Sequence, residues 1–350
     1  MKYRKLGTTD IDVSVICLGT MTWGGQNSQS EAFDQMDYAF EKGINFFDTA
    51  EMYAIMPSKE RYGKTEEIIG NWFKQTGKRK DIILASKIAS KSDGLEWVRE
   101  GGKKLGFDKK NMNAAVDASL KRLQTDYIDL YQLHWPERKV PIFGKLDFVH
   151  DPNDTDWSSV EQVLENLNDI IKAGKIRYVG LSNETPWGMM KSLQVAKEKN
   201  LPRMMSIQNV YSLVNRVFDT ANSEIAIREN CGLLAYSPIA GGRLSGKYLN
   251  GALPKNARYT LWPSRFSRHA TERGDRAIEK YVKLAKKHNL TSCKMANAFV
   301  NNRQFVTSNI IGATTMEQLR ENIDSINISL SEEILKEIQE IHSQDPNPCV

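Results

Sequence analysis

Long apolar runs are missing from this 350-residue chain. Nowhere do about 18 apolar residues stand together, so no membrane span is expected. The amino terminus Met1-Lys2-Tyr3-Arg4-Lys5 is charged and no apolar core follows it, so no secretion signal is read there and the cytoplasm is the expected compartment. Cysteine is scarce. The four, Cys17, Cys231, Cys293 and Cys349, lie far apart, which excludes a disulfide ladder and a CxxC redox pair. The five histidines are equally scattered and no HExxH occurs, so no metal is expected. Absence of GxGxxG excludes a Rossmann dinucleotide site. The net charge of +5 is spread over interleaved acids and bases. Short basic pieces such as Lys78-Arg79-Lys80 and Lys286-Lys287-His288 read as solvated faces, and no nucleic-acid partner is expected.

What is present is a rhythm. Short apolar runs at 15–18, 45–49, 82–87, 128–134, 178–182, 205–209, 233–237 and 309–311 read as eight strands. Helical patterns lie between them at 31–42, 65–74, 112–123, 160–173, 187–199, 223–229 and 276–300, with a final amphipathic helix at 331–342. Ser158 and Glu161 have the spacing of a capping box, and Gly43, Gly174 and Gly232 follow helices as terminating residues. Eight βα units could form an open sheet or a barrel, and closure removes both edges while burying every strand. The fold class expected is α/β, a (β/α)8 TIM barrel with an amino-terminal β-hairpin at 3–13 and an additional carboxyl-terminal helix. No linker divides residues 1–350, so one domain is expected.

In such a barrel the working face is where strands end. The second strand closes with Asp48 and sends Tyr53 out on its loop, the third closes at Lys87 and the fourth at His134. Each has an ordinary explanation: a turn cap, a surface ring, a snorkelling lysine, a satisfied core histidine. Together they do not, because burying four titratable groups at consecutive strand ends is costly without a task.

Asp48, Tyr53, Lys87 and His134, in this order and placement, resemble the catalytic tetrad of the aldo-keto reductases. Flanking stretches carry the resemblance almost end to end. Leu18-Gly19-Thr20-Met21-Thr22, Ala50-Glu51-Met52-Tyr53, Gly174-Lys175-Ile176-Arg177-Tyr178 and Leu181-Ser182-Asn183-Glu184-Thr185 are similar to the bacterial Tas-type NADP(H)-dependent branch. The resemblance implies carbonyl reduction, with hydride from the nicotinamide and a proton from Tyr53. Lys87 would lower the phenol's pKa, Asp48 would keep the lysine charged, and His134 would orient the carbonyl oxygen.

For the cofactor, NADPH/NADP+, the resemblance implies Thr20, Met21 and Gln26 after the first strand. It implies Ser182, Asn183 and Gln208 at the carboxamide, and Tyr236 stacked on the ring. Ser237, Pro238, Ile239, Lys247 and Arg258 would lie in the segment that folds over it. Gly312 and Thr314 open the helix bearing Gln318, Glu321 and Asn322, where the adenosine 2′-phosphate would dock. Many relatives place an arginine at the position of Gln318. The stretch Gly241-Gly242-Arg243-Leu244-Ser245-Gly246-Lys247-Tyr248 nearly matches a P-loop, but Tyr248 stands where the magnesium-binding hydroxyl belongs.

Met21, Trp23, Met56, Trp135 and the insert 136–157 are the expected pocket walls. They suit a small-molecule carbonyl partner that is hydrophobic or aromatic. Two rivals are a Schiff-base aldolase using Lys87 and a non-catalytic NADPH-binding regulatory subunit. No feature assigns an oligomeric state.

Overall fold

The computed structural model describes residues 1–100, 104–264 and 267–350. Among these, the strands are β1 (Tyr3–Lys5), β2 (Asp12–Ser14), β3 (Ile16–Gly19), β4 (Phe46–Asp48), β5 (Ile83–Ile88), β6 (Ile128–Leu133), β7 (Ile176–Ser182), β8 (Met204–Val210), β9 (Gly232–Tyr236) and β10 (Val306–Ile311). The helices are α1 (Gln29–Glu41), α2 (Lys64–Thr76), α3 (Lys109–Leu123), α4 (Val160–Lys172), α5 (Pro186–Lys199), α6 (Val217–Ala221), α7 (Ser223–Arg228), α8 (Arg258–Leu261), α9 (Glu272–Lys287), α10 (Ser292–Asn301), α11 (Met316–Asp324) and α12 (Glu332–Gln344). Strands β3 to β10 are all parallel and form a closed barrel, with β10 returning to pair with β3 at Asn309–Ile16 and Ile310–Cys17. The expected (β/α)8 barrel is the fold, and β1–β2 is the antiparallel hairpin outside it.

Alternation along the strands decides what faces inward. Cys17, Phe46, Ala85, Leu130 and Leu234 form one layer inside the barrel, closed from below by Leu6, Ile11 and Val13 of the hairpin segment. Their sequence neighbours Ile16, Leu18, Phe47, Leu84, Tyr131 and Leu233 belong to the larger cluster shared with the helices. Two residues on from the inner layer, at the upper end of the barrel, come Asp48, Lys87, Gln132 and Tyr236. The pleat therefore aims polar groups at the mouth.

Local chemistry sets the helix ends. At α1, Ser28 Oγ accepts from Glu31 N while Glu31 caps the Ser28 backbone, a reciprocal box. At α4 the cap is Ser159, which accepts from Gln162 N, and not the Ser158–Glu161 box read from spacing; Ser158 N instead donates to Glu137 Oε2 at 2.8 Å. Gly43 and Gly174 take the left-handed conformation after α1 and α4, with φ of 81° and 75°. Gly232 does not: it lies within β9, and Asn230, with φ of 47°, turns the chain after α7. The expected helix at 276–300 is two helices, because Asn289 (φ 54°) breaks the first and Thr291 caps the second.

Candidate active site

The tetrad residues converge at the carboxyl ends of β4, β5 and β6. Lys87 Nζ lies 2.7 Å from Asp48 Oδ2, 2.8 Å from the Thr49 carbonyl oxygen and 3.3 Å from Tyr53 Oη, so all three of its protons have acceptors. The other oxygen, Asp48 Oδ1, accepts from Gln132 Nε2 at 3.1 Å and from Gln208 Nε2 at 2.8 Å. Gln208 also donates to Gln132 Oε1 at 3.0 Å. A carboxylate only accepts, so both glutamines must present nitrogen to it. The ring of His134 meets that of Tyr53 edge-on, with centroids 5.8 Å apart.

The loop bearing Tyr53 is held from behind by Glu51, which is fully buried. Its Oε1 accepts from Ala89 N at 2.7 Å and Arg99 Nη2 at 2.9 Å; its Oε2 accepts from Arg99 Nη1 and Tyr62 Oη, both at 2.7 Å. Glu51 N donates to the Lys87 carbonyl at 3.2 Å, which ties the loop to β5.

Burial would pull the Lys87 ammonium down, but Asp48, and after it Tyr53, outweigh burial and hold its pKa above the ordinary value. Tyr53 moves the other way from the sequence expectation. Burial pushes the phenol above its usual pKa and outweighs the downward pull of Lys87. His134 is kept well below the usual imidazole range, first by burial and then by Lys87, so it is neutral at physiological pH. Its Nδ1 is buried without a partner among the described residues. Placing the proton on Nε2 avoids stranding a buried donor.

Asp48, Tyr53 and His134 line a cleft of about 660 Å³ at this end of the barrel, with Lys87 enclosed behind them. The arrangement offers a protonated phenol beside an ammonium, and a neutral imidazole. Lys87 has acceptors for all three of its protons and does not line the cleft, which argues against the Schiff-base aldolase.

Residues 15–343 match the Aldo/keto reductase family. Protein tas of Escherichia coli K12 is 45% identical over 346 residues, covering 98% of each chain. Uncharacterized oxidoreductase YrpG of Bacillus subtilis is 35% identical over 351 residues, 97% of this chain and 96% of that one. Aldo-keto reductase of Babesia bovis is 39% identical over 274 residues, 75% of this chain and 95% of its own. The chain belongs to the aldo/keto reductase family. It is an oxidoreductase for carbonyl groups, and aldo/keto reductases generally work with nicotinamide cofactors.

The cleft of this aldo/keto reductase fits such a cofactor on its own geometry. Buried polar atoms on its wall, Gln26 Oε1 and His269 Nε2, have no partner among the described residues. No atom comes within 4 Å of where a Cβ on Gly312 would stand, leaving an open floor beside α11. Gly241 and Gly242 in the segment 240–245 have φ of 64° and 99°, a path that favours glycine and brings the backbone to the cleft. This segment lies between β9 and α8 and opens no long helix, so the P-loop resemblance ends there.

Of the residues assigned to the cofactor, all but Ser182 line the cleft. Ser182 is turned away and donates to the Gln208 carbonyl at 3.0 Å. Asn183 Nδ2 donates to the His134 carbonyl at 2.9 Å, and its Oδ1 accepts from Tyr236 Oη at 2.7 Å. Gln318 Oε1 accepts from Thr314 N at 3.0 Å and Asn322 Nδ2 donates to the Gly312 carbonyl at 3.1 Å, so both brace the loop after β10. Burial lowers the pKa of both Lys247 and Arg258.

The substrate walls differ from those expected. Met21 lines the cleft, but Trp23 is in the core with Nε1 donating to Gln35 Oε1 at 3.1 Å. Met56 and Trp135 do not line it; Trp135 Nε1 donates to the Lys91 carbonyl at 2.9 Å. The insert contributes Phe143, whose ring meets Trp135 with centroids 6.5 Å apart. Gln132, Arg268 and His269 escaped the sequence reading. The one grouping of metal-ligating side chains among the described residues, His288, Glu333 and Glu337, lies away from the cleft, where Lys287 and His288 already hold Glu337.

Proposed function

We propose that this protein reduces aldehydes and ketones to alcohols with NADPH, using Tyr53 as the general acid. The observation that carries the reading is the 3.3 Å approach of the Lys87 ammonium to the Tyr53 hydroxyl at the wall of the cleft. A dihydronicotinamide held in this cleft would supply hydride to the carbonyl carbon. Tyr53 gives its proton to the oxygen as negative charge develops there. At 3.3 Å and an effective dielectric near 20, Lys87 stabilises the phenolate left behind by about 5 kcal/mol before desolvation. His134, neutral and with Nε2 as donor, holds the carbonyl oxygen within reach of the phenol. Asp48 keeps Lys87 charged, and Gln132 with Gln208 keeps Asp48 in place.

Gln208 has committed both amide protons, so its Oε1 remains to receive the carboxamide, with Asn183 beside it. Tyr236 would lie against the nicotinamide ring. Lys247 and Arg258 would meet the phosphates, and they support NADPH over NADH despite Gln318 and Glu321 at the adenosine end. Met21 and Phe143 favour an apolar or aromatic carbonyl compound.

The test is the loss of NADPH near-UV absorbance with 4-nitrobenzaldehyde, repeated with NADH. Turnover with kcat/KM at least tenfold higher for NADPH supports the reading, and equal efficiency refutes the cofactor preference. No turnover with NADPH demonstrably bound would replace the enzyme with a regulatory NADPH-binding subunit.

A further inference from the structure

Arg268 lines the cleft as a half-buried cation that the proposed chemistry leaves unused. No acidic side chain lies within ion-pair distance of it among the described residues. Of the acids on the cleft wall, Asp48 is held by Lys87, and Glu321 stands on α11 and makes no ion pair with Arg268 among the described residues. Arg243, by contrast, is paired with Asp275. The surroundings of Arg268 are positive, since it depresses the pKa of Arg258, after burial, and that of His269, which burial and three arginines bring to about 3. A guanidinium half-buried in a cleft with no acidic side chain beside it is unfavourable until an anion arrives.

Arg268 also reaches the ring side of the cleft. Its guanidinium lies 6.0 Å from the centre of the Tyr236 ring. Tyr236 bonds to Asn183, and Asn183 bonds to the His134 carbonyl. A second route leads to the same place. The Arg268 stem packs against Gly144, where a Cβ would meet Arg268 Cβ at 3.4 Å, and Gly144 follows Phe143, which touches Trp135 beside His134. Both routes end at the residue assigned to the reacting carbonyl.

We propose that Arg268 receives an anionic group of the substrate, so that the substrate class is a carbonyl compound carrying a carboxylate on an apolar or aromatic frame. The proposal rests on the reductase reading and narrows it. A guanidinium suits a carboxylate because its planar donors match the two oxygens, while Met21 and Phe143 take the frame between charge and carbonyl.

A matched pair of probes tests it: 4-carboxybenzaldehyde and its neutral methyl ester, assayed with NADPH on the wild type, Arg268→Met and Arg268→Lys. The expected result is a wild-type kcat/KM at least tenfold in favour of the acid, carried mainly by KM. That preference should collapse at least tenfold in Arg268→Met and return in part in Arg268→Lys. An acid-to-ester ratio unchanged by Arg268→Met would overturn the proposal, as would a loss seen instead as a raised KM for NADPH. Calorimetric binding of benzoate to the NADP+ complex needs no turnover and separates this proposal from the reductase reading. Benzoate bound by the wild type and at least tenfold more weakly by Arg268→Met supports it, and equal binding contradicts it even if neither aldehyde reacts.

Discussion

Gln132 Nε2 donates to Asp48 Oδ1 across 3.1 Å, at the opposite side of the carboxylate from Lys87. The bond fixes the carboxylate plane, and the plane aims the lysine. A hydrogen bond to a charged group contributes about 1.5–3 kcal/mol. Gln132→Met should therefore lower kcat roughly tenfold to a hundredfold with NADPH affinity little changed. Steady-state kinetics across pH, with NADPH titration, checks this. A drop in thermal stability with an unmoved pH profile would make Gln132 merely structural.

Burial outweighs Lys87 at Tyr53, so the phenol stays protonated through neutral pH. That is the form an acid needs, and the wrong form for removing a proton from an alcohol. Reduction should hold its rate through neutrality and decline only at alkaline pH, while alcohol oxidation should rise with pH. Lys87→Met removes the downward pull and should shift both limbs to higher pH while lowering both rates by more than a hundredfold. Paired pH profiles in the two directions test the sign.

Two buried histidines make stability depend on acid. His269 has a pKa of about 3, through burial and the arginines around it, and His134 also lies well below its ordinary value. Above about pH 6.5 both are neutral folded and unfolded, so neither costs stability there. As pH falls below that, the unfolded chain takes up protons that the folded chain refuses, and stability falls by about 1.4 kcal/mol per unit for each until its folded pKa is reached. Urea unfolding from pH 7 to pH 4 should show this slope, and His269→Gln should reduce it.

Much of this site was legible because a barrel converts strand ends into a pocket. Asp48, Lys87 and His134 could be found at the ends of apolar runs, and the seven predicted inter-strand helical regions were placed near their true positions, although one proved to be two helices. Gln132 was within reach of the same logic: it stands two residues past inward-facing Leu130, so the pleat aims it at the mouth. It was missed because an uncharged residue inside a strand raises no alarm. Phe143 and Arg268 lie far apart in the chain and reach one cleft only through tertiary folding. The direction of the Tyr53 shift was misjudged because pairwise charge can be estimated from residue types, whereas depth of burial cannot. Ser182 does not line the cleft because its hydroxyl is drawn to the neighbouring strand.

Glu51 and Arg99 form a bidentate ion pair directly behind the Tyr53 loop. Replacing Glu51 by Gln leaves a buried guanidinium without its counter-charge, a loss of about 3–5 kcal/mol. Chemical denaturation should show a midpoint lowered accordingly, and activity should fall as well, because the same side chain positions Ala89 and Tyr62 around the loop. A change under about 1 kcal/mol would mean the pair contributes no more than a surface contact.

Tyr53→Phe, compared with the wild type for NADPH oxidation by an aromatic aldehyde and for NADPH binding by fluorescence, tests the central claim most directly. The phenyl ring keeps the shape of the cleft and removes only the hydroxyl 3.3 Å from Lys87. The account predicts turnover lowered by at least about a hundredfold with NADPH affinity within about threefold of wild type, since proton donation by a positioned group contributes about 10²–10⁴-fold. Turnover within tenfold of wild type would contradict it and assign the proton to another group.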